Sequence, residues 1–452
     1  MPLYGISDYF FINQYSDMRV NLTIFCAFLL LFCCAGDKSK TKEDVILQEI
    51  ITLDLTRLQN MHACDEYFLS ESVDKLDIVF LELTNNTLIS NIFDIKVTEK
   101  DIFVCDYKSG ISRFDHEGRF LNKIGRKGQG PGEYQGFYNI EVDDDKKYIY
   151  FYDYVYSKIF KFNFEGEFIN DSLKRFSDVI SGTNPYVLLV NDKLFLIDLL
   201  PVIHEREKYF TFALFDDNYQ IKKYLYNPEL LTRTKEIWEN RQLSYGWKNF
   251  WTEKNPSISV YDKQFMMSFY AGDTIYRFDL ENECFTPLFI LRMGDKPTFE
   301  ESHQWIKDDS FFDHILLLDF LDTQKYIYFY LFKSNHLYIL KYEKENGKQC
   351  IYKDVATIDR WNIPGSPSFV RKLIKYSLSF KNDFCGGSFS INYRSTGKYW
   401  VSVLFPEQMK EIKTEEIGKE VVKDQNLIKE YLRVLENIRE DDNPILLIAT
   451  LK

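Results

Sequence analysis

The chain has 452 residues, of which 45% are hydrophobic and 17% aromatic, including 31 Tyr and 39 Phe. That is ample material for a core, which excludes global disorder, and the aromatic bias favours pleated strands. A formal charge of −12 repels polyanions and argues against a nucleic-acid partner. The six histidines include no pair at metal-ligand spacing, and neither CxxC nor HExxH occurs, so neither a metal nor a cofactor is expected.

In chain order, the first element is an address. "MRVNLTIFCAFLLLFCCAGDKSK" begins at Met18 with a basic residue and runs apolar from Leu22 to Phe32. It ends in small residues and then turns polar. The run is too short for a bilayer-spanning helix and reads as a secretory signal. Its terminal cysteine resembles the lipobox of bacterial lipoproteins. That resemblance implies acylation at Cys34, a true start at Met18, and lipid-only attachment to a membrane in a Gram-negative cell envelope. An ordinary signal peptide cut nearby is the alternative. Residues 1–36 are thus the signal segment, 37–44 ("DKSKTKED") a solvated tether, and 45–452 one folded domain. The five cysteines beyond the signal, Cys64, Cys105, Cys284, Cys350 and Cys385, are odd in number and widely spaced. Most of them read as small buried apolar residues.

A weak internal repeat follows. "IFVCDYKSGISRFDHEGRFLNKIG" from Ile102 and "IYFYDYVYSKIFKFNFEGEFIND" from Ile149 share one pattern. Each gives an apolar strand, Asp, a turn, a second strand, and Phe-Asp or Phe-Asn with Gly three residues on. Asx at the first position and Gly at the fourth mark a type I turn. The aromatic-acid mark recurs at Phe215-Asp216, Phe278-Asp279 and Tyr342-Glu343, and a further hairpin is expected at Tyr393 to Gly397. These features predict an all-β, six-bladed propeller of four-stranded antiparallel blades with one or two short peripheral helices. The strand-like runs Glu49–Arg57 and Asn443–Lys452, at opposite ends of the domain, are the expected partners in a closing blade. Helices are expected within Asn227–Gln242, and in "DQNLIKEYLRVLENIRE" with Leu427, Tyr431, Leu435 and Ile438 on one face.

"IGRKGQGPGEYQ", Ile124–Gln135, lacks the Lys-Ser/Thr of a Walker loop and the following helix of a dinucleotide fold. Its glycines with Glu133 and Tyr134 instead resemble the interblade linker of NHL-type propellers. Residues 45–175 resemble bacterial six-bladed propeller lipoproteins, which implies that fold and an export role.

Candidate sites stand beside their structural readings. Arg126 and Lys127 flank a glycine loop whose amides suit an anion, or simply a solvated bend. Asp106 and Asp153 follow equivalent strands and either line the central funnel or tie blades together. Asp143-Asp144-Asp145 reads as a hairpin turn rather than a calcium loop. Tyr245, Trp247 and Trp251 lie in an aromatic insertion suited to glycan or peptide, or to burying its own rings. The favoured function is a membrane-tethered, non-catalytic propeller binding a glycan, peptide or envelope protein. The alternative is a lactonase-like or sugar-dehydrogenase-like enzyme.

Overall fold

The computed structural model describes residues 50–85, 87–171, 186–204, 208–226, 257–268, 272–297, 309–355, 357–363, 366–412, 414–418, 420 and 422–452. Cys34, Tyr245, Trp247, Trp251 and the helix expected at Asn227–Gln242 lie outside the described residues. The chain divides into two units, one that takes in the turn Asp279–Glu283 and one made of Ile50–Phe278 with Cys284–Lys452. Within the first unit the described part is the turn, where Asp279 Oδ1 accepts from the amides of Glu281 and Asn282, both at 2.9 Å.

The second unit is a six-bladed β-propeller. Strands β1 (Ile51–Asp54) and β2 (Val73–Phe80) precede the first complete blade. Blade 1 holds β3 (Ile92–Val97), β4 (Asp101–Asp106), β5 (Gly110–Asp115) and β6 (Phe120–Ile124). Blade 2 holds β7 (Glu141–Asp143), β8 (Tyr148–Asp153), β9 (Lys158–Asn163) and β10 (Phe168–Asp171). Blade 3 holds β11 (Tyr186–Val190), β12 (Lys193–His204), β13 (Lys208–Phe215) and β14 (Ile221–Tyr226). Blade 4 holds β15 (Ser257–Tyr261), β16 (Gln264–Ser268), β17 (Thr274–Asp279) and β18 (Cys284–Arg292). Blade 5 holds β19 (Leu316–Asp322), β20 (Tyr326–Lys333), β21 (His336–Glu343) and β22 (Gln349–Val355). Two hairpins follow, β23 (Thr357–Ile363) with β24 (Ser366–Lys375), and β25 (Ser379–Lys381) with β26 (Ser388–Ser390). Blade 6 combines β27 (Tyr393–Ser395), β28 (Tyr399–Leu404) and β29 (Ile445–Leu451) with β2.

The strands bury residues at successive positions because a blade is covered on both faces by its neighbours. In β8, "YIYFYD", every residue from Ile149 onward is buried. Each complete blade is a local antiparallel meander, and the aromatic-acid marks fall where the third strand ends. At Asp115 and Asn163 the side-chain oxygen accepts from amides across the turn, and Gly118 (φ 78°) and Gly166 (φ 88°) supply the left-handed backbone that starts the fourth strand. First strands of successive blades are stitched to one another. Val97 donates to Ser395 Oγ at 2.6 Å, Asp322 to Ser259 Oγ at 2.8 Å, and Val187 to Asn139 Oδ1 at 3.0 Å. These strands ring the central axis.

Closure differs from the sequence expectation. β29 does sit in the closing blade, paired antiparallel with β28 on one side and β2 on the other; Leu447 faces Ser402 and Ile78. The N-terminal partner is therefore Val73–Phe80 rather than Glu49–Arg57. β1 runs parallel along β18, Ile51 beside Phe289 and Asp54 beside Arg292, as a fifth strand of blade 4. Between β1 and β2 the chain straps the outer edge of blade 5. Cys64 N donates to Ile351 O at 2.7 Å, Ile351 N to His62 O at 2.9 Å, and Cys64 and Cys350 form a disulfide. Two of the five body cysteines are thus cross-linked rather than plain apolar filling; Cys105 and Cys385 are buried thiols.

The connection from β28 to β29 carries α1 (Pro406–Met409), α2 (Thr414–Ile417) and α3 (Gln425–Asn437). Asp424 caps α3 by accepting from the amides of Asn426 and Leu427. Its buried face is Ile428, Tyr431, Val434 and Leu435, with Leu427 and Ile438 only partly covered, one position round from the expected stripe.

Candidate functional site

The meander places turns on alternate faces. Turns between second and third strands share one face with the blade-to-blade connections, and the other turns open opposite. Asp106 ends β4 and Asp153 ends β8, both at 0% exposure. Asp106 Oδ2 accepts from the amides of Ser90 and Asn91 (3.0 and 2.6 Å), and Oδ1 from Lys108 and Ser109 (2.8 and 2.7 Å). Asp153 repeats the arrangement with Gln135, Gly136, Val155 and Tyr156. Each carboxylate ties the incoming connection to the turn of its own blade. Burial alone would raise the Asp106 carboxyl, but the four amides outweigh it and hold it below the usual carboxylate range. With four amides on each carboxylate, the contacts of these acids are those of the second reading, a tie between connection and turn.

The glycine stretch is a cradle filled by its own chain. Glu133 Oε2 accepts from the Gly130 amide at 2.8 Å, and Oε1 pairs with Arg126. The Gly130 amide, and to a lesser degree Arg126, hold this carboxyl low. A Cβ at Gly128 would lie 1.9 Å from Glu133 Oε2, so the glycine makes room for the carboxylate. Tyr134 then drops into the core between blades 1 and 2, 1% exposed. Lys127 Nζ donates to the Tyr107 carbonyl. Arg126 and Lys127 are thus both engaged within the loop and its neighbouring turn.

Directly after each tying Asp stands a tyrosine. Tyr107 is 51% and Tyr154 44% exposed. Each sends its amide to the incoming connection, Tyr107 to Asn91 O (3.1 Å) and Tyr154 to Gly136 O (3.0 Å). The Tyr154 ring stacks on Tyr138 at 4.8 Å and 26°, and any Cβ at Gly136 would meet it at 2.3 Å. Tyr107 packs on Phe93 at 4.5 Å, and Phe93 on Phe137 at 5.1 Å. Burial first, and then the neighbouring Tyr154 and Tyr107, raise the Tyr138 hydroxyl. Through Phe93 and Phe137, the residue before Tyr138, the three tyrosines belong to one aromatic rim.

Charged groups lie on the first strands of the same blades. Lys96 on β3 donates to Glu141 on β7 at 2.8 Å, and Asp94 on β3 accepts from the Ile140 amide at 2.9 Å. All three are buried. Burial pushes both carboxyls up against the pull of Lys96; burial also works against the ammonium, but the two acids outweigh it and keep Lys96 charged. Tyr393 links rim and charges: its hydroxyl donates to Ile92 O at 3.0 Å, and burial first, then Asp94, Cys105 and Tyr107, raise it. Across the ring, Arg394 pairs with Asp319 and donates to Ile258 O. Among the described residues no group of three or more His, Cys, Asp or Glu is arranged to hold a metal ion.

Sequence reasoning singled out the two aspartates and passed over the tyrosines beside them. The signal was present: "CDYKSG" and "YDYVYS" repeat Asp-Tyr at the same blade position.

The fold and its ties define a six-bladed propeller. The chain belongs to the family of the domain of unknown function DUF4934, whose sequence pattern matches residues 51–450. Among solved structures it is similar to a Bacteroides fragilis protein that carries the description of an exported protein. That match has 20% identity, a TM-score of 0.56, and covers 89% of this chain and 100% of the other. A member of the DUF4221 family from Bacteroides vulgatus matches at 11% identity and TM-score 0.41, covering 84% and 97%. No curated protein sequence matches the chain.

Proposed function

We propose that this chain is an exported propeller, tethered to a membrane of the cell envelope through lipid on Cys34. It binds a glycan, peptide or envelope protein without catalysing a reaction. The binding face is the one that carries the blade-to-blade connections and the second-to-third turns. The observation that carries this reading is the pair of exposed tyrosines, Tyr107 and Tyr154, at equivalent positions of successive blades, Tyr107 packed on Phe93 and Tyr154 stacked on Tyr138. Clustered, exposed aromatic surface on a rigid scaffold is characteristic of recognition sites. The signal-like N-terminus and the description of the B. fragilis relative support export. Tyr245, Trp247 and Trp251, which lie outside the described residues, enter the proposal as further contributors on the strength of the sequence, flat aromatics beside cations and amides.

The test has two arms. Cys34→Ser should move the protein from the membrane fraction to the soluble fraction; unchanged membrane association with metabolic lipid labelling at another residue removes the Cys34 assignment. Glycan and peptide arrays are probed with the parent, Tyr107→Ala/Tyr154→Ala, and Trp247→Ala/Trp251→Ala. Loss of signal in the tyrosine variant, at unchanged circular dichroism melting, supports the face. Full retention in both variants removes it.

A further inference from the structure

We infer that the rim of Tyr107, Tyr138 and Tyr154 takes a neutral glycan, stacking its pyranose rings on the two exposed phenols. The inference rests on the binding reading above and names the ligand class for that site. Its first support is the shape of the surface. The Tyr154 ring is fixed by stacking on Tyr138 and by seating over Gly136, and Tyr107 is fixed against Phe93. Both keep about half their surface in solvent, so they present planar faces that lose little rotamer freedom on binding. The C–H face of a pyranose is the matching partner for an aromatic ring, and its hydroxyls reach past the ring to groups at its edge. Gln135 supplies an amide there: its Nε2 lies 3.2 Å from the Tyr156 hydroxyl.

The second support is charge. Around the rim and on the first strands beside it, Lys96, Lys108, Lys123, Arg126 and Lys127 balance Asp94, Asp106, Glu133, Glu141 and Asp153. Arg126 is paired with Glu133, Lys127 sits on the Tyr107 carbonyl, and Lys123 donates to Ser109 O and Ser112 Oγ. The aspartates are held by backbone amides. On the first strands of these blades, Asp94 and Glu141 oppose the single cation Lys96, a balance that disfavours an anion. With charges of the two signs in balance an acidic polysaccharide or phosphorylated ligand gains no net attraction here, whereas a neutral sugar meets the stacking surface it needs.

The experiment is calorimetric titration of the full chain in detergent. The probes are neutral hexasaccharides (cellohexaose, xylohexaose, mannohexaose and maltohexaose), with hexagalacturonate as the acidic probe. Binding is expected to at least one neutral hexasaccharide, and at least tenfold weaker binding in Tyr107→Ala/Tyr154→Ala, about one tenth of the affinity for each ~1.4 kcal/mol of stacking lost. Tyr107→Phe/Tyr154→Phe should retain it, because stacking needs the ring and not the hydroxyl; this variant also separates lost stacking from misfolding. Silence towards every neutral probe overturns the inference, as does preference for hexagalacturonate or equal affinity in the alanine variant. Tyrosine-dependent binding of a peptide on the array, with silence towards all sugars, overturns the glycan class while leaving the binding face intact.

Discussion

Blades 1 and 2 and the sector from blade 4 to blade 6 solve the same problem by different means. Blades 1 and 2 are held by short-range devices that repeat: a tying Asp, an Asx-Gly turn, and a glycine connection that drops Tyr134 into the shared core. The closing sector is held by distant segments. β1 lies along blade 4, a disulfide pins the strap to blade 5, β2 completes blade 6, and Ser70 meets Asp383 at 2.5 Å with Lys423 beside it. The difference teaches that the meander supplies each blade locally, whereas the ring has to be sealed by chain from elsewhere.

The largest effect is expected where the ring is sealed. β29 is an interior strand, so deleting residues 443–452 bares the edges of both β28 and β2. The truncated protein should yield no soluble monomer by size-exclusion chromatography. A soluble monomer melting at the parental temperature would show that β2 closes the blade without β29.

This contrast is also the boundary of what the sequence disclosed. The turn at Asp115 to Gly118 is legible because an Asx acceptor and a positive φ are demands of a few adjacent residues. The same holds for the terminal strand, an apolar run after a turn. The partner of that strand was not legible, because "IITLD" and "VDKLDIVF" both suit a strand and only tertiary fit decides which one joins blade 6. Cys64 and Cys350 are 286 residues apart, a pairing no spacing rule reaches. The rim was missed for another reason: an exposed tyrosine after a turn carries no local demand, so its meaning emerged only once Tyr138 was seen beneath Tyr154.

The disulfide ranks next. Cross-linking across so long a separation removes much chain entropy from the unfolded state, and Cys64→Ser/Cys350→Ser should cost about 3–5 kcal/mol. Thermal melting with and without reductant checks it: the parent should melt several degrees lower when reduced, and the double variant should ignore reductant. Equal melting of the parent in both conditions would mean that the backbone bonds of Cys64 and Ile351 hold the strap unaided.

The repeated ties come third. Asp106→Ala leaves four amides without their acceptor, and a loss of about 2–3 kcal/mol is expected in denaturant unfolding. Asp106→Asn adds a pH signature. The folded carboxyl titrates below its unfolded value, so its contribution is complete above about pH 4 and is lost as pH falls through the depressed folded value. Stability of the parent should therefore fall more steeply than that of the Asn variant between about pH 4 and pH 2. Parallel curves would assign the acid limb to other carboxylates.

The smallest effect belongs to Glu133, whose pairing with Arg126 is at the surface: Arg126 is 81% exposed. Glu133→Ala should shift melting by no more than ~2 °C, because water can solvate the Gly130 amide that the carboxylate now accepts from. The interest of the variant lies in what it vacates. The loop's amides and Arg126 are arranged around a carboxylate, and a nest of that kind does not distinguish its own anion from a free one of similar size. Added sulfate should therefore raise the melting temperature of Glu133→Ala more than that of the parent, and the excess should vanish in Glu133→Ala/Arg126→Ala. If sulfate raises all three alike, its action is general exclusion from the protein surface. The glycine stretch would then be a bend that Glu133 merely decorates, with no anion-selective geometry of its own.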